Sequence, residues 1–235
     1  MKKIIGIIAV AALLSEAACS CCFNYPMKVV RGNGVSVTSE VEVPAFSAIN
    51  LVGSGDVLYT QGPQAVSITT DENLLEYFVI EVEDGELIVR NEKGVSISPK
   101  TKTVVTVSSP DLNGVKIIGS GDCKVAEGLQ TEGDFSFTVT GSGDLEASSI
   151  VCKGFTSKVS GSGDVKVDAL TCETTSLAVV GSGDIEIGCK DAGDISVRIS
   201  GSGDVTLSGR ARTLEQKISG SGDVHSKALA LTGAE

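Results

Sequence analysis

Apolar and polar residues alternate with a period of two on both sides of a recurring tetrapeptide, Gly-Ser-Gly-Asp. The residues directly after its Asp are Val57, Cys123, Leu145, Val165, Ile185, Val205 and Val224, and two positions on come Tyr59, Val125, Ala147, Val167, Ile187, Leu207 and Ser226. Before it, skipping one residue, stand Leu51, Ile117, Val139, Val159, Val179, Ile199 and Ile218. Two positions earlier stand Ile49, Val115, Phe137, Ser157, Leu177, Val197 and Gln216. Strict alternation over such short spans predicts half-buried strands, two in each repeat, and no 3.6-residue pattern competes.

The tetrapeptide starts at Gly53, Gly119, Gly141, Gly161, Gly181, Gly201 and Gly220, so successive starts lie 66, 22, 20, 20, 20 and 19 residues apart, the first gap being three times 22. A fixed period near 20 marks a solenoid in which each repeat is one coil. The fold class is therefore all-β: a parallel β-helix of about 20 residues per coil, its inward residues stacked at ~4.8 Å. A third short face is expected around Ile150–Lys153 and Leu170–Glu173. The outward residue after the tetrapeptide runs Lys124, Glu146, Lys166, Glu186, Thr206, an alternation of charge expected where parallel strands are neighbours. Phe135 and Phe155, one repeat apart, should stack inside.

The first third is less regular. Asp71–Tyr77 suits one helical turn, and Val79–Glu83 and Glu86–Arg90 flank Asp84-Gly85, a two-residue hairpin signal. This segment is expected to cover the N-terminal end of the solenoid, where an open edge would invite strand addition. No comparable cap is visible before Ala234-Glu235, which leaves a bare C-terminal edge.

Met1-Lys2-Lys3, the apolar run Ile4–Leu14 and the small residues before Cys19 have the layout of a secretory signal over residues 1–18, too short to span a bilayer. Ala17-Ala18-Cys19 fits the end of a bacterial lipoprotein signal with Cys19 lipidated, although Glu16 stands where an aliphatic residue is usual. The competing reading is ordinary cleavage near Ala17 or Ser20 without a lipid. Either way the protein leaves the cytoplasm, and a lipid would anchor it without spanning. Residues 19–44 then form a tether and lead-in, and residues 45–235 the β-helix. Within it, 45–118 are the irregular N-terminal coils and 119–235 the regular repeats.

Composition narrows the chemistry. A net charge of −11, from 19 Lys and Arg against 30 Asp and Glu, argues against nucleic acid as the main partner. Aromatics are 4% of the chain, with no Trp, which removes the usual stacking platforms of sugar clefts. His225 is the single His, so sites built from several are excluded. A Ser–His–Asp site would need His225 beside Asp223, near a chain end. No Lys or helix follows the tetrapeptide in the way a phosphate loop requires.

The tetrapeptide has two readings. In one, its glycines permit positive φ at a sharp corner while Ser and Asp accept backbone N–H groups, which predicts the same motif in every coil. In the other, Asp122, Asp144, Asp164, Asp184 and Asp204 point outward as a column for cations such as Ca²⁺, the one cofactor candidate. Cys152 and Cys172 share a position one repeat apart. In an oxidising compartment they could form a disulfide between coils, the alternative being buried thiols.

Several features together resemble one bacterial family. They are the signal, Phe46-Ser-Ala-Ile49 leading into the first Gly-Ser-Gly-Asp, the hairpin Glu83-Asp-Gly-Glu-Leu87 and the train of repeats. Over roughly residues 45–231 the chain resembles the putative auto-transporter adhesin, head GIN domain family of Bacteroides-type bacteria. The resemblance implies an exported β-helical protein and supplies no catalytic residues. The expected function is a non-enzymatic, adhesin-like rod. It would be an outer-membrane or cell-surface lipoprotein, alternatively periplasmic or secreted, that meets an extracellular glycan or protein and touches the membrane only through its lipid. One alternative is a polysaccharide lyase or hydrolase using Arg198, Arg210 and Arg212 near the Asp column, against which the acids are periodic rather than unique. Another is a structural protein that self-associates end to end into homo-oligomers.

Overall fold

The computed structural model describes residues 28–233. The signal and Cys19 lie outside the described residues. The repeats form a β-solenoid in which each coil contributes one strand to each of two sheets. The first sheet stacks Ala48–Gly53, Gly114–Gly119, Phe135–Gly141, Gly154–Gly161, Thr174–Gly181, Asp194–Gly201 and Thr213–Gly220, all parallel and in register. After each corner the chain crosses to the second sheet, through Asp56–Gln61, Cys123–Val125, Leu145–Ala147, Val165–Thr171, Ile185–Asp191, Val205–Ala211 and Val224–Leu231.

The alternating residues face inward as the pattern requires. Leu51, Ile117, Val139, Val159, Val179 and Ile199 are buried in one file, and Val57, Cys123, Leu145, Val165, Ile185 and Val205 in another. Phe135 and Phe155 stack with ring centroids 6.4 Å apart. In the last described coil the inward-facing positions are largely uncovered, and Ile218 is 40% exposed. The expected third face is not separate. Ile150–Val151 pairs with Leu170–Thr171 as the far part of the second sheet, and in the next coil the strand Val165–Thr171 is continuous, with register shifts after Val167.

The 66-residue gap is a single step of the stack, not three. Gly119 pairs directly with Gly53, and Cys123 with Val57. The intervening chain runs outward from the first coil and builds the cap. Glu86–Asn91 adds parallel to Ala48–Gly53, and Phe78–Glu83 folds back antiparallel through a turn with Asp84 at φ 50° and Gly85 at φ 80°. On the second sheet Val104–Ser109 adds parallel to Asp56–Gln61, followed by antiparallel Ala65–Asp71 and Ser36–Glu40. Antiparallel strands thus end both sheets. The segment expected as a lead-in contributes two of the cap's strands, Lys28–Arg31 and Ser36–Glu40.

Asp71 ties this cap together. It lies directly before a short 3-10 turn, Glu72–Tyr77, and is fully buried. Its carboxylate accepts N–H groups from Gly34 at 2.5 Å, Lys100 at 2.8 Å and Thr101 at 3.0 Å. Burial alone would raise its pKa, but these donors outweigh it and hold the carboxyl below the ordinary Asp value. A depressed folded-state pKa gives stability that is present above the unfolded value of ~3.9 and lost as pH falls through the folded one. Amide exchange at Gly34, Lys100 and Thr101 should therefore accelerate below about pH 4. Asp71→Asn should show fast exchange at neutral pH already. Exchange unchanged in that variant would show that the cap does not depend on the carboxylate.

Candidate binding surface

The corner explains the tetrapeptide. At Gly161 φ is +134°, and a Cβ there would lie 2.1 Å from the carbonyl oxygen of Gly141 in the coil before. At Gly163 a Cβ would meet the oxygen of Gly143 at 2.1 Å and Val139 at 2.9 Å. The corners stack so closely because the N–H groups of Ser162 and Gly163 both donate to Gly141 O, at 2.8 and 3.2 Å. The same arrangement recurs from coil to coil.

The Asp residues face outward and form a ladder. Oδ1 of Asp122 accepts the N–H of Asp144 at 3.0 Å, Asp144 that of Asp164 at 2.8 Å, and Asp164 that of Asp184 at 2.8 Å. Asp184 and Asp204 continue it to Asp204 and Asp223 at 2.7 and 2.8 Å. Each carboxylate thus satisfies a backbone donor of the next coil, which is a fold role present at every step. Oδ2 of Asp204 lies 3.4 Å from His225 Nε2, and Lys102 lies 2.8 Å from Asp56. Among the described residues no group of three or more His, Cys, Asp or Glu is arranged to hold a metal ion. His225 sits outward against Asp204 rather than in a triad.

The three arginines do not converge. Arg212 lies at the corner opposite the tetrapeptides and grips Asp194 through both Nε and Nη2. With Thr213 Oγ1 also donating, it holds the Asp194 carboxyl down to about 2. Arg210 is the next-to-last residue of the second-sheet strand Val205–Ala211, and Arg198 stands on the outer face of the first sheet.

Cys152 and Cys172 occupy neighbouring coils at the next step of the Ile150–Leu170, Val151–Thr171 register, and both are buried thiols. The neighbouring Cys172 thiol, together with burial, raises the pKa of Cys152, and the neighbouring Cys152 lowers that of Cys172. The Cys172 sulfur also lies 3.1 Å from Thr175 Oγ1. Burial pushes Cys189 up to about 11 and Cys123 up to about 12, as for small apolar fillers.

The accessible chemistry therefore lies on the two outer sheet faces. On the second, the expected charge alternation makes ion pairs, Lys124–Glu146 at 3.0 Å and Lys166–Glu186 at 3.4 Å. On the first, the residue three places before each tetrapeptide forms a file, Lys116, Thr138, Lys158, Ala178, Arg198 and Lys217. Of these only Arg198 was expected near a site. The others were legible in the same repeat register, read on the other side of the corner.

These features define a β-solenoid whose interior is packed and whose side chains available to a partner are arrayed on long, open faces. Residues 45–227 match the family described as putative auto-transporter adhesin, head GIN domain, and the chain belongs to that family. It is similar to solved structures from three bacteria. One is a putative adhesin from Bacteroides fragilis, at 22% identity and TM-score 0.70, covering 83% of this chain and 99% of that one. A second is a putative lipid binding protein from Parabacteroides distasonis, at 24% identity and TM-score 0.67, covering 86% and 98%. A third is a putative adhesin from Parabacteroides merdae, at 23% and 0.58, covering 84% and 98%. At these identities the likeness speaks for the fold. No curated protein matches.

Proposed function

We propose that the protein is an exported cell-envelope protein, anchored by a lipid on Cys19, that acts as a non-enzymatic, adhesin-like rod for an extracellular glycan or protein. The observation that carries this reading is membership, over residues 45–227, of a family described by an adhesin head domain. The periodic outer faces support it, since repeated identical corners suit an extended ligand better than a single reacting bond. No helix among the described residues is long and apolar enough to cross a membrane. Where the Parabacteroides distasonis relative is described as lipid binding, this chain's interior is filled by side chains such as Phe135, Phe137 and Ile117, so a lipid ligand would have to sit outside.

Two measurements test the proposal. The protein is passed over a panel of polysaccharides and matrix proteins, with ligand size read before and after. Retention of an intact ligand is the expected result, and a shortened one would replace the rod by a carbohydrate-processing enzyme. In cells, Cys19→Ser should move the protein from the membrane fraction to the soluble one. Unchanged partitioning would remove the lipid from the proposal.

A further inference from the structure

The two outer faces follow different charge rules. On the second sheet each cation of the central file has an acid beside it. On the first, Lys116, Lys158, Arg198 and Lys217 are exposed, and none has an ion-pair partner among the described residues. Arg198 pairs in register with Lys217, placing like charges directly opposite each other on neighbouring strands. Such a pair is destabilising unless something anionic lies across it. In a chain of net charge −11 this file is a local reversal of sign.

The file has a period. Neighbouring strands lie ~4.8 Å apart, so Lys116 to Lys158 and Lys158 to Arg198, each skipping one strand, are separated by about 10 Å. Its flanks carry small hydroxyl side chains, Ser136, Thr156, Ser176 and Ser196 on one side and Thr140, Ser160 and Ser200 on the other. The acids on this face are Asp194, engaged by Arg212, and Glu215, with Asp134 at its border. On the cap strands beyond Lys116 stand Glu83, Glu81, paired with Arg90, and Glu86, which accepts from Asn50.

We propose that the outer face of the first sheet binds a linear anionic polysaccharide bearing its charge on alternate sugars, laid along the solenoid axis. This rests on, and deepens, the adhesin reading. An extended glycan advances by about one strand spacing per sugar, so an anionic group on every second sugar meets the cations at Lys116, Lys158 and Arg198 in turn. The flanking hydroxyls are placed to exchange hydrogen bonds with the sugar hydroxyls. A single file suits one narrow polymer. A broad anionic surface such as a bilayer would also meet the acids at the border, and a nucleic acid would find no aromatic platform on this face.

Each exposed charge contact changes affinity only a few-fold, so the test removes all four together. The variant K116Q/K158Q/R198Q/K217Q is compared with the charge-matched variant K124Q/K166Q/K190Q/K227Q on the second sheet. Binding of hyaluronan oligosaccharides, whose carboxylates fall on alternate sugars, is measured at low and high salt, beside neutral dextran and vesicles of phosphatidylcholine with phosphatidylglycerol. The expected result is salt-sensitive hyaluronan binding that falls about tenfold or more in the first variant and stays within about twofold in the second. Dextran and the vesicles should stay unbound. Equal losses in both variants would overturn the proposal, because net charge alone would explain them. So would preferential binding of the vesicles, or of dextran. Hyaluronan left unbound while another glycan or protein is retained would overturn this face and leave the adhesin reading standing. No retention of any ligand would overturn both. Should the fourfold variant not fold, K158Q/R198Q reads the same file.

Discussion

Gly163→Ala is expected to prevent the solenoid from closing, at a cost above about 4 kcal/mol, with unfolding at far lower urea than the parent chain. Gly163 lacks the positive φ of Gly161, so the effect isolates packing from left-handed backbone strain. Its Cβ would lie 2.1 Å from the oxygen of Gly143, 3.0 Å from the Gly143 carbonyl carbon, and 2.9 Å from Val139. Two of these three atoms are backbone in the same hydrogen-bonded corner stack, so no side-chain rotation relieves the clash. Gly161→Ala adds a positive φ of 134° to a 2.1 Å contact and should be at least as severe. Gly62→Ala and Gly133→Ala are the controls, because a Cβ at either meets nothing within 4 Å. Both should stay within about 0.5 kcal/mol of the parent. A mild Gly163→Ala variant would mean that the corners are looser than the stack implies.

Phe137→Ala should cost about 3–5 kcal/mol, read as a shift in the urea midpoint at unchanged slope. The ring is fully buried and stands edge-on to Phe135 at 4.9 Å and to Phe155 at 5.9 Å. Its neighbours in register are Val115 and Ser157, and Ser157 is too small to fill the vacated space. Ser157 is itself fully buried, and its hydroxyl has no hydrogen-bond partner in the structure. A small residue there leaves room for Phe137, at the expense of an orphaned hydroxyl. Ser157→Ala is therefore expected to be neutral or to stabilise by up to about 1 kcal/mol. A loss on that substitution would show that the hydroxyl is satisfied after all.

These two sites differ in how openly the sequence displays them. The buried files were legible because inward residues recur at fixed offsets from a corner only glycine can turn, so alternation and period reinforce each other. The phenylalanine stack followed from the same offset. The hairpin was legible because Asp84-Gly85 matches the twist of the strands it joins. What stayed hidden depends on pairing between distant segments. Alternation along Ala65–Asp71 says that it is a strand and not that Ser36–Glu40 and Val104–Ser109 lie on either side of it. For that reason the 66-residue gap read as three steps when it is one. Asp71 was likewise read only as the start of a helical turn, because its donors at Gly34, Lys100 and Thr101 are 29 or more residues away. Of the candidate site residues, the Asp column was legible as a repeat but not in its orientation. It faces outward, and each Oδ1 accepts a backbone N–H of the next coil, a contact between coils that no single repeat displays. The arginines were grouped by nearness in sequence, whereas two successive strands carry their outward residues to opposite faces of the coil.

The direct seating of Gly119 on Gly53 separates cap from rod. Between those corners the chain after Gln61 and before Gly114 builds the cap end, and beyond Gly119 each coil rests on the one before it alone. A whole coil inserted or removed between two later corners would therefore leave every cap contact intact and move the far end by one strand spacing, ~4.8 Å. Length in this molecule is quantised. The distance from the cap to the last coil is set by a count of corners, so a chain of this design can be lengthened or shortened in whole steps without redesigning either end.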